Sequence, residues 1–232
     1  MASAVALGVT SIECDVHLSA DGEVVVCHDP TVDRTTDGTG AIAALPWAAL
    51  QEFDAGARWT PHADPEMANG GVRSGPTPFA GQRIRLPRLA EVLESFPAAS
   101  FIIELKSVAV AAPAIALLQR MQVQRRVLVG SFLAAALHPA RQSGFRTTAA
   151  ASELVRLLPA AILRRAAPAQ PFDALAIPPS WYGIPVPLGG FVRSLGLPIH
   201  VWTVNDRSYA ERLVASGVTG IISDDPRVML GL

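Results

Sequence analysis

From Leu89 to Ser223 the chain repeats one pattern: a stretch of helical length, then a short apolar run of strand length. The helical stretches are Leu89–Ser95, Pro113–Met121, Leu133–Ser143, Glu153–Ala166, Leu188–Leu195 and Arg207–Ser216. The strand runs are Ser100–Leu105, Arg126–Phe132, Arg146–Ala150, Ala174–Ile177, Pro198–Val204 and Gly220–Ser223. Gly144, Gly196 and Gly217 each follow a helical stretch, where a left-handed cap is wanted. Strands and helices in alternation, with short connections, demand a parallel sheet covered by helices. The strand runs are apolar rather than alternating, the pattern of strands buried on both faces.

The first part of the chain is different. Met1 to Gly8 has the character of the last turns of a helix, followed by a strand over Thr10–Val16. A turn at Ser19-Ala20-Asp21-Gly22 returns the chain into Glu23–His28, a hairpin signal. Pro30 to Arg85 is rich in Gly, Pro, Thr and Asp, with one short helical pattern at Trp47–Phe53, and is expected to be loops and small elements. Barrel-type strands are expected at Glu13, Glu104, Val129, Thr148, Leu175, Val201 and Ile221. A parallel barrel closes with eight. The expectation is therefore an α/β fold, a TIM-type (β/α)8 barrel with its first strand missing. It would form a single domain over residues 1–232, with residues 30–85 inserted after the first hairpin.

Ionisable residues interrupt three of the apolar runs: Ile12-Glu13-Cys14-Asp15-Val16, Val26-Cys27-His28-Asp29 and Ile102-Ile103-Glu104-Leu105-Lys106. Side chains alternate along a strand, so Glu13 shares a face with Asp15, and Glu104 with Lys106. Buried carboxylates need a cation or hydrogen bonds. Active sites of parallel barrels lie at the C-terminal strand ends, where these residues can converge. Three carboxylates suit a hard cation, Mg²⁺ or Ca²⁺, better than zinc. Lys106 is the chain's lone lysine. Beside a hard cation it suits a phosphate, and His28 suits proton transfer at an ester oxygen.

Nineteen basic and 20 acidic residues give a net charge of -1, which argues against a nucleic-acid partner. No apolar run reaches the roughly 18 residues of a membrane span, and Met1–Gly8 lacks the basic region of a signal peptide. The expectation is a cytoplasmic enzyme of small molecules, with a homo-oligomer as an option through the open strand gap. Cys14 and Cys27 should point away from the site as buried free thiols, with a disulfide between neighbouring strands as the alternative.

The chain resembles the glycerophosphodiester phosphodiesterase family. The resemblance rests on Gly8 to Ser19, Asp21-Gly22, Val25 to Pro30, Asp33 to Gly40, Leu86 to Leu93, Ile102 to Lys106, Ser131-Phe132, Val201 to Asp206 and Gly217 to Pro226, in family order. It implies Glu13, Asp15 and Glu104 as metal ligands, His28 as one of two catalytic histidines, and Lys106 and Trp202 lining the substrate pocket. Members hydrolyse glycerophosphodiesters to glycerol 3-phosphate and an alcohol, with a substrate hydroxyl as first nucleophile. The family's opening His-Arg-Gly strand and Pro-Glu-Asn-Thr text are not in this sequence, so the other histidine is expected to be lacking. Two alternatives follow: a catalytically impaired relative that binds phosphodiester or metal, and a two-histidine barrel enzyme of the phospholipase type. His17 shares a face with Glu13 and Asp15. Arg34 is expected to brace its loop rather than bind phosphate. Trp181 and Tyr182 read equally as a rim or a surface loop. His62, His138 and His200 are expected to be solvent-facing or helix-associated.

Overall fold

The computed structural model describes residues 1–59, 77–181 and 183–231. His62 and Tyr182 lie outside them, as does part of the 30–85 segment. In chain order the elements are α1 (Ala2–Ala6), β1 (Ser11–Leu18), β2 (Val24–Val26), α2 (Trp47–Leu50), α3 (Leu89–Ser95), β3 (Ser100–Leu105), α4 (Val108–Arg120), β4 (Val127–Gly130), α5 (Ala134–Gln142) and β5 (Arg146–Thr147). They continue with α6 (Ala151–Leu163), β6 (Leu175–Ile177), β7 (Ser180–Trp181), β8 (Ile184–Pro185), α7 (Leu188–Leu195), β9 (Ile199–Val201), α8 (Arg207–Ala215), β10 (Gly220–Ile221) and α9 (Pro226–Leu230). The chain divides into two compact units: Met1–Glu13 with Ala98–Val108 and Gln122–Leu232, and Cys14–Pro97 with Ala109–Met121.

In the first unit, β3, β4 and β5 pair in parallel, with Glu104 opposite Gly130. A parallel bridge from Thr148 to Ala174 leads on to β6, which pairs in parallel with β9, and β9 with β10. Sheet order thus follows chain order through short crossovers, as the alternating pattern demands. All seven expected barrel strands are present. The helix–sheet core is apolar: Leu154 and Leu157 of α6 and Phe191 of α7 pack with Leu175, Ile199 and Val201 of the strands. A separate small cluster joins Ile102, Leu128 and Ala174, with Ile222 against it. Ile102 lies two residues before Glu104 and so on the same strand face, which sets an apolar layer next to the carboxylate.

In the second unit, β2 runs antiparallel to β1, with Val16 opposite Val26. Val32, Ile42 and Leu50 of the inserted segment form a small core with Val25 of β2 and with Leu86. Asp54, buried, accepts the backbone N–H groups of Gly56, Gly81 and Ile84, and so organises the turns around it.

Two boundaries and one hairpin depart from the sequence expectation. Helix α4 begins at Val108, five residues before Pro113, and carries that proline inside. Proline removes one hydrogen bond there, but the helix buries Val110, Ala111, Ala114, Ile115, Leu117 and Leu118, which outweighs it. Helix α6 stops at Leu163 because Arg164 takes the left-handed conformation, φ 52°. No glycine marks that stop, so the helical pattern looked longer. The β7–β8 hairpin, with Trp181 opposite Ile184, was not expected at all. Gly196 and Gly217 cap as expected, with φ of 63° and 99°.

Candidate active site

Alternation along β1 buries Ile12, Cys14 and Val16 and leaves Glu13, Asp15 and His17 half-buried on the opposite face. Strand β1 is the sheet neighbour of β3, which carries Glu104. The three carboxylates Glu13, Asp15 and Glu104 each offer an oxygen within 4.8 Å of the others. The sheet therefore brings together the three residues that the strand pattern singled out. Lys106 Nζ lies 2.9 Å from Glu104 Oε1, so the lone lysine joins the same group. Like charges at this spacing repel, and partial burial strengthens the repulsion. An all-oxygen donor set of this kind fits a divalent cation.

His28 follows β2. Strand pairing continues past the hairpin, since Cys27 N–H donates to the Asp15 carbonyl at 3.0 Å. The His28 side chain is 68% exposed, and its Nδ1 lies 2.7 Å from Asp29 Oδ1. With Nδ1–H donated to that carboxylate, Nε2 is left as the proton acceptor. Asp29 is held in turn by Arg34, whose NH2 group donates to Oδ1 at 2.8 Å and whose Nε donates to Oδ2. The Arg34 hydrogen bonds, opposed by burial and aided by His28, lower the Asp29 pKa to about 2. Arg34 is thus the expected loop brace. His17 Nε2–H donates to the His28 carbonyl at 3.2 Å, which supports the same loop.

Trp202 follows β9 and meets Phe132 edge to face, ring centroids 5.8 Å apart. Phe132 was quoted only as part of a motif; its position just past a strand end was the available signal. Ser131 Oγ donates to the Leu105 carbonyl at 2.7 Å and accepts from Leu133 N–H, tying the end of β3 to the start of α5. Asn205 locks the loops after β9 and β10: Oδ1 accepts Asp224 N–H and Ser223 Oγ–H, each at 2.9 Å, and Nδ2 donates to Asp224 Oδ2. Sequence reasoning assigned Asn205 no role.

Both cysteines are free thiols. Cys14 is buried, whereas Cys27, one residue past the end of β2, is only half-buried. Burial pushes the Cys27 thiol pKa up. His138 is exposed on α5, as expected. His200 departs from expectation: it is half-buried in β9 against Gly220, where any Cβ would collide with its ring, and burial lowers its pKa. Among the described residues no helix is long and apolar enough to cross a membrane.

Parallel strands joined by helices, with carboxylates and a lysine on neighbouring strands, define an enzyme of the TIM-barrel class. The sequence profile of the glycerophosphoryl diester phosphodiesterase family matches residues 1–228, and the chain belongs to that family. It is 30% identical to a glycerophosphodiester phosphodiesterase from Caldanaerobacter subterraneus subsp. tengcongensis, across 99% of this chain and 88% of that protein. Solved structures share the fold. The glycerophosphoryl diester phosphodiesterase domain of a Mycobacterium tuberculosis protein superposes with a TM-score of 0.78 at 18% identity, covering 99% of this chain and 89% of that one. An Oleispira antarctica phosphodiesterase in complex with the product sn-glycerol-3-phosphate superposes at 0.70 with 24% identity, covering 97% and 85%.

Proposed function

We propose that this chain is a metal-dependent phosphodiester hydrolase that cleaves glycerophosphodiesters to glycerol 3-phosphate and an alcohol. The observation that carries this reading is the Glu13–Asp15–Glu104 cluster with Lys106 on Glu104, in a chain of this family. Three ionised carboxylates and one ammonium leave two negative charges, which a divalent cation would offset. Oxygen donors alone favour Mg²⁺ or Ca²⁺ over zinc. Glu13, Asp15 and Glu104 would hold the ion, which when bound polarises a phosphoryl oxygen.

The side chains divide the remaining work. Lys106 would draw its ammonium towards a phosphate oxygen and offset charge there. His28, oriented by Asp29 on Nδ1, would take or return a proton through Nε2 at an ester oxygen. Trp202 and Phe132 would present an aromatic wall to the organic part of the substrate.

The test is release of glycerol 3-phosphate from glycerophosphocholine by the purified chain. Stimulation by Mg²⁺ or Ca²⁺, with a fall of roughly 10²- to 10⁴-fold in His28→Ala, is expected. No metal-stimulated release would overturn the reading. Faster turnover of a lysophospholipid than of the water-soluble diester would favour the phospholipase-type alternative.

A further inference from the structure

The three most exposed large apolar side chains among the described residues are Ile184 at 71%, Ile162 at 66% and Leu163 at 60%. All three lie in one region. Ile162 and Leu163 form the last turn of α6, and Arg164 and Arg165 follow at once. Ile162, Arg164, Val186, Pro187 and Arg193 line a groove of about 470 Å³. The β7–β8 hairpin leaves the Val186 edge of that groove, where Val186 N–H donates to the Pro179 carbonyl. Its two strands carry Trp181 and Ile184 opposite one another.

Charge follows the same surface. Residues 154–205 contain four arginines and a single acidic residue, Asp173, in a chain whose net charge is -1. Asp173 is occupied elsewhere, accepting the Thr147 N–H at 2.9 Å. Among the described residues no ion pair involves Arg164, Arg165 or Arg193, and Arg164 and Arg193 stand exposed at the groove. Cationic and apolar side chains interleaved on one face, without acidic partners, match the interface of an anionic bilayer. There the apolar groups enter the acyl boundary and guanidinium groups meet lipid phosphates. A second copy of this chain fits worse, since a two-fold contact would set arginine against arginine. A nucleic acid would leave Ile162, Leu163 and Ile184 without apolar partners.

We propose that the end of α6, the groove and the β7–β8 hairpin form a docking surface for an anionic phospholipid membrane. No helix spans the bilayer in this arrangement; the chain would rest on it. The proposal draws on no residue assigned to the catalytic site and stands apart from the proposed activity.

The test is flotation of the full chain with vesicles of phosphatidylcholine, with and without about one third phosphatidylglycerol. Binding to the anionic vesicles only, weakened by salt, is expected. The double variant Arg164→Glu/Arg193→Glu should lower that binding roughly tenfold or more, and Ile162→Glu/Ile184→Glu should do the same. Hydrolysis of soluble glycerophosphocholine should be unchanged in both. As a readout that needs no variant, Trp181 sits at the proposed contact, so tryptophan emission should shift to the blue with anionic vesicles alone. Absence of lipid-dependent flotation, equal binding to neutral vesicles, wild-type binding by the arginine double variant, or preference for duplex DNA over vesicles would each overturn the proposal. So would dimerisation in solution that Ile162→Glu abolishes.

Discussion

Lys106 Nζ and Glu104 Oε1 stand 2.9 Å apart, both side chains about one-fifth exposed. Glu104 thereby belongs both to this ion pair and to the carboxylate group it forms with Glu13 and Asp15. A cation in the cluster and a phosphate on Lys106 would be coupled through this one side chain. Glu104→Gln should therefore weaken both cation and substrate, whereas Lys106→Met should raise KM while leaving cation affinity within a few-fold. Calorimetric cation titrations alongside steady-state kinetics of the two variants separate these outcomes.

Chelation and re-addition of metal should report on the same cluster through stability. A ligand that binds only the folded chain adds about 2.7 kcal/mol at a hundredfold excess over its Kd. For a chain of this size that raises Tm by roughly 5–10 °C. The shift should appear with Mg²⁺ or Ca²⁺ in the parent and vanish in Glu13→Gln and Asp15→Asn.

The Asp29–Arg34 pair makes a pH-dependent contribution. The folded pKa of Asp29 is lowered from 3.8 to about 2, so its stabilisation is complete above the unfolded value and lost as pH falls through the folded one. Asp29→Asn should cost about 1 kcal/mol at neutral pH, allowing for solvent screening, and nearly nothing at pH about 2. Denaturant melts at the two pH values check the sign. Activity should also fall in this variant, because His28 loses the group that fixes its ring.

Arg141 and Glu153 form a second bidentate pair, better shielded. Arg141 donates to Glu153 Oε1 at 2.7 Å and Oε2 at 2.9 Å and also reaches Thr147 Oγ1 and the Thr148 carbonyl, while Glu153 accepts Ala150 N–H. Burial works to raise the Glu153 pKa, but Arg141 and the Ala150 amide outweigh it, and the net direction is down. The stabilisation is thus present at neutral pH and fades as pH drops below the usual carboxylate range. Arg141→Met should be the harsher of two variants, costing about 1–2 kcal/mol after allowing for solvent screening, because it strands a carboxylate; Arg141→Met/Glu153→Leu should recover part of that loss. Equilibrium unfolding of the single and double variants decides it.

Trp202 and Phe132 should act as a pair on the substrate's organic portion. Each alanine variant is expected to raise KM about fivefold with kcat nearly unchanged, and the double variant should fall short of the product of the two. Equal effects on kcat would point to a role closer to the reacting atoms.

Much of this architecture was legible because two periodicities dominate the chain. The period-two pattern of Ile12 to Val16 placed Glu13 and Asp15 on one face of the first strand, and the repeated helix–strand spacing located the other six barrel strands. What stayed hidden depended on long-range burial or on side chains without a strong preference. Pro113 suggested a helix start, yet burial on both sides of it carried α4 back to Val108. Arg164 capped α6 without being glycine. The Phe132–Trp202 contact joins residues 70 positions apart, which no local pattern reveals. The three carboxylates were easier, since each interrupts an apolar run where charge is costly.

The layer of Ile102, Leu128 and Ala174, with Ile222 against it, has a consequence for traffic. This apolar layer lies on the strand face that carries Glu104, so polar groups would approach the carboxylates from the strand ends rather than across it. Reactant and products would then share that side of the site. The alcohol and the phosphomonoester would have to depart in turn, and whichever stays longer would hold the next diester outside.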